Sequence, residues 1–488
     1  MAEARPALCG ADLDVPLLTG GSHRYVNLDY AASTPALVEV ARAVERFLPY
    51  YSSVHRGAGY KSQVSTAAYE AARERLLAFF GARDGDIGIF TRNTTDAVNL
   101  LAASLPAGSS VLTFCSEHHA NLLPWRREGL RLTCLPIPGS AEEAVSALSA
   151  ALSRQRPVDL VAVTGASNVT GELWPLPEMI AVSHHFGARV LVDAAQIAPH
   201  LPVRLGEIGA DYLAVSGHKM YAPFGAGVLI GRPDWLARVD PFLRGGGAVD
   251  FVTEESVQWS ELPARQEAGS PNVVGAVAMA AAAAELDRYG MDRVWQEEEQ
   301  LARQVRTGLE RIPGVEVYAL WPEAVERTGV VSFNLRGYEH SLVAAVLSAE
   351  YGIGVRHGCF CAHPLMLHLL SVPPYEVSDV RRRLAAGDHT RVPGAVRLSL
   401  GLGTLAEEIE YFLGALDKLV RRGPALEYAV DPHSGDYAPV GDRRGADAAA
   451  WELVAPQGPG KLAEGPSLPT LHWFLSGDCP RPYWREQM

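Results

Sequence analysis

Short, almost wholly apolar runs recur through the first half of the chain, at residues 87–90, 111–114, 159–163, 190–192, 212–215 and 228–230. Runs of this length read as strands buried on both faces. Between several of them the apolar positions fall at helical spacing, as over residues 66–80, a stretch that stops at Gly81. Strands alternating with helices predict an α/β fold whose large sheet is mostly parallel and covered on both faces. Long helical patterns over 272–289 and 293–311 then lead into a smaller region with strands at 330–335 and 396–400. Thr404-x-x-Glu407 reads as a capping box that opens a helix running to about Arg421. The boundaries this predicts are an N-terminal segment 1–24, a large domain 25–290, a small C-terminal α/β domain 291–423 and an extension 424–488.

Composition narrows the class. With 488 residues, 48% apolar and 20% charged, the chain is long enough for two or three domains of ordinary globular make-up. A net charge of −13 leaves no electrostatic footprint for nucleic acid or an anionic membrane surface. No apolar run reaches the roughly 20 residues of a membrane span, and residues 1–20 lack the basic start and apolar stretch of a secretory signal. Cys9, Cys115, Cys134, Cys359, Cys361 and Cys479 are scattered apart from one C-x-C. They are too few for a disulfide framework, and a reducing cytoplasm fits.

The chemistry concentrates at Ser216-Gly-His218-Lys219, between the apolar runs 212–215 and 227–230. A lysine among buried strands is costly unless paired, neutralised or used covalently. Burial lowers an amine pKa and suits it to Schiff-base chemistry with a carbonyl, while Ser216 and His218 can bond a phosphate. Together they suggest pyridoxal phosphate, the alternative being a strand-end lysine that reaches out to water. Asp193 closes the apolar strand before it, where a carboxylate could hold a pyridinium nitrogen protonated or simply cap a helix. Gln196, one turn on, could reach the phenolic oxygen.

Asp193-x-x-Gln196 followed by Ser216-Gly-His-Lys219 resembles the class V aminotransferase family of pyridoxal phosphate enzymes, in particular its cysteine desulfurase and selenocysteine lyase-like branch. Further matches run from about residue 25 to 422. They are Leu28-Asp-Tyr-Ala-Ala-Ser-Thr-Pro35, Val54-His55-Arg56-Gly57, Thr94-Thr95, Glu117-His118-His119-Ala-Asn121, Ser167-Asn168, Glu267-Ala-Gly-Ser270-Pro-Asn272, Arg356-x-Gly358-x-x-Cys361-Ala-x-Pro364 and Arg397-x-Ser399. The resemblance implies the aspartate aminotransferase-like fold and a homodimer. It implies that Thr94, Thr95, Ser216 and His218 hold the cofactor phosphate, with Ser270 reaching it from the partner subunit, and that His118 stacks on the cofactor ring. Asn168 is implied at the phenolic oxygen or the substrate carboxylate, and His55 near the site mouth.

Arg397 is the candidate for the substrate α-carboxylate, which a guanidinium fork binds bidentately, although a structural ion pair is open to it as well. Arg356 opens the loop of Cys359 and Cys361 and is implied to orient it. Cys361 matches the nucleophile that takes sulfur from L-cysteine as a persulfide, leaving L-alanine, for delivery to a protein sulfur acceptor. The alternatives are a C–S β-lyase acting on a larger cysteine conjugate, selenocysteine cleavage, and a non-catalytic sulfur-relay scaffold. Cys359 could form half of a metal pair, against which no second Cys/His pair at zinc spacing accompanies it, could resolve that persulfide, or could be a small buried hydrophobe, the favoured reading. Two regions depart from the family pattern: the enlarged interval 365–396, and the extension from Pro424 with Trp451, Trp473 and Trp484, for which packing on the body is favoured over a partner surface.

Overall fold

Seven strands make the principal sheet: β1 (Ile87–Thr91), β2 (Ser110–Phe114), β3 (Arg131–Leu135), β4 (Leu160–Thr164), β5 (Arg189–Asp193), β6 (Tyr212–Ser216) and β7 (Gly227–Gly231). Their order across the sheet is β1-β7-β6-β5-β4-β2-β3, and only β7 runs antiparallel to its neighbours. The computed structural model describes residues 4–442 except 156 and 325, together with 444, 445, 449, 450, 453 and 454. Alternate residues of the inner strands feed opposite faces: Val190, Val192, Leu213 and Val215 join one buried cluster, while Leu191, Tyr212 and Ala214 join another. That double burial explains why these strands read as unbroken apolar runs.

A smaller antiparallel sheet holds β8 (Val315–Tyr318), β9 (Val330–Leu335), β10 (Arg356–Gly358) and β11 (Ala395–Ser399), in the order β8-β9-β11-β10. Its apolar face, with Val331, Phe333, Val396 and Leu398, packs on Ala302, Val305 and Leu309 of the helix Met291–Glu310 and on Ile409, Phe412 and Leu416 of the helix Ala406–Arg422. Antiparallel pairing sets Arg356 directly opposite Arg397.

Three sequence expectations shift. Strand β3 was missed, because as a sheet edge it carries Arg131, Thr133 and Cys134 with little burial. The first long helix starts at Tyr60, well before residue 66, since Ser62 and Ser65 are buried polar positions whose hydroxyls bond the Ser53 and Tyr50 carbonyls. The predicted capping box does not form: the cap is Leu405, one residue later, whose side chain cannot accept, and Glu408 Oε2 accepts from the Leu405 N–H at 2.9 Å. Thr404 Oγ1 is taken by the Gly401 N–H at 3.1 Å instead.

Cys115 and Cys134, separated in sequence, meet beside β2 and β3 with Cα atoms 5.6 Å apart and are joined as a disulfide. Among the described residues no helix is long and apolar enough to cross a membrane.

Residues 4–442 belong to one compact unit. The enlarged interval folds as helices His363–Leu369 and Pro374–Ala385. The start of the extension is fastened to the body by Glu350, whose carboxylate accepts from the Ala425 and Leu426 N–H groups and the Tyr428 hydroxyl. A hairpin of Tyr428–Val430 and Tyr437–Pro439 follows. Trp451, Trp473, Trp484 and Cys479 lie outside the described residues.

Candidate active site

A cavity of about 940 Å³ opens beyond the carboxyl ends of β4, β5 and β6, where ligands gather in open α/β sheets. Asp193 and Ser216, the last residues of β5 and β6, line it, with Thr164 of β4 beside them. Directly after β6 a tight turn, Gly217–Lys219, presents Lys219 to the same space. Burial pushes the Lys219 ammonium down to about 8; Asp193 opposes this and the Arg397 charge reinforces it. The amine is therefore within reach of its neutral, nucleophilic form near pH 8. Burial raises the Asp193 pKa, although the Ala195 N–H donates to its Oδ1 at 3.0 Å and Lys219 lies near.

The helix Thr94–Ser104 points its N-terminus at the cavity. Asn93 is its cap, accepting from the Asp96 N–H at 3.0 Å, so neither threonine is spent on capping. The Thr94 N–H donates to Ser216 Oγ at 2.8 Å, and the two hydroxyls also lie 2.8 Å apart. Gly227 allows the helix to come this close, since a Cβ there would stand 2.7 Å from Asn93 Cα and 2.6 Å from the Val215 carbonyl. The hydroxyls of Thr94, Thr95 and Ser216 at the positive end of a helix make a phosphate cradle.

His118 and His218 complete the near wall. Burial and the Lys219 charge hold His118 down at about 3 and His218 at about 4. Both rings are neutral at physiological pH and can pack against a cofactor without adding charge. Gln196 donates from Nε2 to the Ala31 carbonyl at 2.9 Å, while its Oε1 is buried without a partner.

The opposite wall comes from the small sheet. Arg397 donates from Nη2 to Asp29 Oδ1 at 3.1 Å and from Nη1 to the Asn168 carbonyl at 3.0 Å. Its Nε is buried and unpartnered. The ion pair and the open donor thus coexist. Asp29 also draws Arg356 to 3.9 Å. Asn168 Nδ2 donates to the Phe360 carbonyl at 2.7 Å, pinning the loop of Cys361. Phe360 and Cys361 both sit at positive φ, 53° and 55°. Such backbone is unfavourable for residues with a Cβ and is concentrated at functional sites. The Cys361 carbonyl accepts from the His119 N–H at 2.8 Å, and the Cys361 side chain is exposed.

Two predicted residues are not brought here. His55 turns away to Glu70, with Nε2 2.8 Å from the carboxylate, against the edge of Tyr69, and it does not line the cavity. Its positive φ of 67° aims it there. Ser270 lines a separate depression with Tyr69, Phe90 and Asn272, so within one chain it does not reach the cradle.

In a match to family models, residues 26–412 fit the one described as aminotransferase class-V. The chain belongs to the class-V aminotransferase family. A protein of Halalkalibacterium halodurans described as a probable cysteine desulfurase is 37% identical over 351 residues, 70% of this chain and 85% of that protein. Another of the same description from Synechocystis sp. is 34% identical over 84% of this chain and 94% of its own length. The apo structure of the cysteine desulfurase of Thermococcus onnurineus NA1 superposes with a TM-score of 0.73 at 32% identity, covering 86% of this chain and all of that one.

Family membership brings pyridoxal phosphate as cofactor. The residues fit it: a phosphate cradle at a helix N-terminus, a lysine of lowered pKa, a buried carboxylate at a strand end, and unpartnered buried atoms on Gln196 and Arg397. Residues around the cavity carry roles that the sequence did not assign. Asp29, within the stretch Leu28 to Pro35, holds Arg397 from behind the wall. Glu117, buried and pushed up to about 8, accepts from the Asn121 side chain and the Thr164 N–H, bracing the floor beside Asp193. Leu384, His389 to Val392 and Ser434 to Tyr437, from the two regions that depart from the family, form the outer rim.

Proposed function

We propose that this chain is a cysteine desulfurase that converts L-cysteine to L-alanine and carries the sulfur as a persulfide on Cys361. The observation that carries the reading is the exposed Cys361 thiol, on a loop held at positive φ, lining the same cavity as Lys219, Asp193 and Arg397. Thr94, Thr95, Ser216 and His218 would hold the cofactor phosphate, Asp193 its ring nitrogen, Gln196 and Asn168 the phenolic side, and His118 its face. Bound there, pyridoxal phosphate supplies an electron sink for charge developing at the substrate α-carbon. Arg397, with Arg356 beside it, holds the α-carboxylate. Lys219 would move the proton at the substrate α-carbon, which its lowered pKa suits. The Cys361 thiolate attacks the substrate sulfur, whose bond to the substrate β-carbon breaks, and keeps it as a persulfide.

In this reading the protein is a cytoplasmic homodimer, Ser270 reaches the phosphate across the dimer interface, and the sulfur passes to a protein acceptor. Its domains are a cofactor-binding body, 25–290, and a smaller domain, 291–423. Incubation with L-cysteine, scoring alanine together with added mass on the protein, tests it: one alanine with one added sulfur is expected, and no alanine would refute it. One observation favours a second reading as a C–S β-lyase. The rim formed by the enlarged interval and the hairpin extends the cavity outward, with room for a larger cysteine conjugate. Pyruvate would then be the product.

Arg397→Ala is expected to raise KM for L-cysteine about 10²-fold, the cost of losing one partner of a buried charge pair. Cofactor content should hold. An unchanged KM would transfer the carboxylate to Arg356.

A further inference from the structure

The loop that carries Cys361 holds a second thiol with a base of its own. Cys359 Sγ lies 3.0 Å from His363 Nε2, and His363 Nδ1 lies 3.2 Å from His119 Nε2. The two imidazoles stack, with centroids 5.0 Å apart and planes 7° from parallel. A backbone group fixes the protons along this row. The His363 amide N–H donates to His119 Nε2 at 3.3 Å, so that nitrogen carries a lone pair and no hydrogen. The His363 tautomer that avoids two facing lone pairs carries its proton on Nδ1 and leaves Nε2 as the acceptor. Cys359 S–H therefore donates to His363 Nε2, and the imidazole is aimed to take the thiol proton.

Burial holds both imidazoles below their ordinary pKa and pushes the Cys359 thiol up. At rest the row is neutral and the thiol is held in reserve. A nucleophile, a base within hydrogen-bond reach and a third group orienting the base make an activated nucleophile. The Cys361 backbone N–H reaches the Cys359 sulfur, and both thiols line one cavity.

Building on the desulfurase reading, we propose that Cys359 is a second sulfur carrier, which takes the outer sulfur of the Cys361 persulfide with His363 as its base and His119 as the residue that positions that base. Cys359 Sγ attacks the terminal sulfur of Cys361–S–SH. A bond forms from Cys359 Sγ to that sulfur as its bond to Cys361 Sγ breaks. The Cys359 proton passes to His363 Nε2, and Cys361 leaves as a thiolate that recovers the proton from His363. The products are Cys361–SH and Cys359–S–SH. The transferred sulfur keeps its oxidation level, so no outside oxidant or reductant enters. The relay clears Cys361 for the next L-cysteine while an acceptor draws sulfur from Cys359.

The test uses the full-length holoenzyme, a pulse of L-cysteine, rapid quenching with an alkylating agent and fragmentation of the tryptic peptide 357–381, which contains both thiols. The added sulfur is expected on Cys361 early and on Cys359 later. In Cys359→Ser it should stay on Cys361. His363→Ala should slow its migration about 10²-fold, the scale of general-base loss, and raising the pH should restore migration by ionising Cys359 directly. A merely structural role for His363 would give no such rescue. Sulfur confined to Cys361 at all times in the parent enzyme, with alanine still released, would overturn the relay and leave the desulfurase reading standing. Absence of both alanine and added sulfur would sink that reading instead. Sulfur arriving on Cys359 in Cys361→Ser would make Cys359 the primary acceptor and overturn the order of transfer.

Discussion

Lys219→Ala should yield a folded protein that lacks the yellow colour of lysine-bound pyridoxal phosphate. Its turnover should fall by at least the 10²–10⁴-fold that losing a positioned proton-transfer group costs. The fold should survive because Lys219 ends a three-residue turn after β6 and carries no strand pairing. Removing its amine also deletes a desolvated charge, although Asp193 then loses a nearby cation. The same lowered pKa sets a pH dependence for cofactor capture by the apoprotein. Below about 8 the amine is mostly ammonium and unreactive; above it, mostly free base. The capture rate should thus climb about tenfold per pH unit below 8 and level off above it. Borohydride-fixed cofactor on the Lys219→Ala protein would show that another amine carries it. A capture rate that keeps climbing to pH 10 would show an ordinary, unburied lysine.

What the sequence made legible follows the range of the interactions. Strands β4 to β7 read clearly because each alternate residue meets a buried cluster, and Asp193, Ser216 and Lys219 stand at the ends of those strands. Their chemistry is local and so is its signal. Asp29 was not legible as the partner of Arg397, because that pairing spans 368 residues. The row from Cys359 to His119 was hidden for the same reason: His119 and His363 meet across 244 residues. Cys359 does pack partly buried against the apolar core, as its favoured reading had it, but that reading missed the imidazole four residues along. His55, assigned on motif position alone, shows the opposite failure. Position in a motif does not say which way a side chain leaves a backbone at positive φ. The outer rim, from residues 384–392 and 434–437, falls in the two regions that depart from the family pattern; neither carries a motif, so its contacts were not legible, such as Asp436 at 3.4 Å from His357 on the strand opposite Arg397.

Cys361→Ser should bind the cofactor and L-cysteine and then stall, with no alanine released and no sulfur added to the protein. Serine matches cysteine in size and meets the same backbone, so the loop pinned by Asn168 and His119 keeps its shape. What is lost is the thiolate: a serine hydroxyl is far from ionising at neutral pH and cannot hold a persulfide. Cys359 is not expected to rescue the variant, because burial raises its pKa and leaves little thiolate at rest to attack a fresh substrate. A β-lyase would behave otherwise. Elimination of the substrate sulfur needs no protein thiol, so Cys361→Ser would turn over undiminished and the released product would hydrolyse to pyruvate. Alanine and pyruvate are therefore scored together, in the parent and in Cys361→Ser. Full activity with pyruvate in the variant would overturn the desulfurase reading and leave the roles of Lys219 and Asp193 as they stand. A stalled variant with neither product would fix the sulfur-accepting step on the one thiol that is both exposed and set against Arg397 and Lys219.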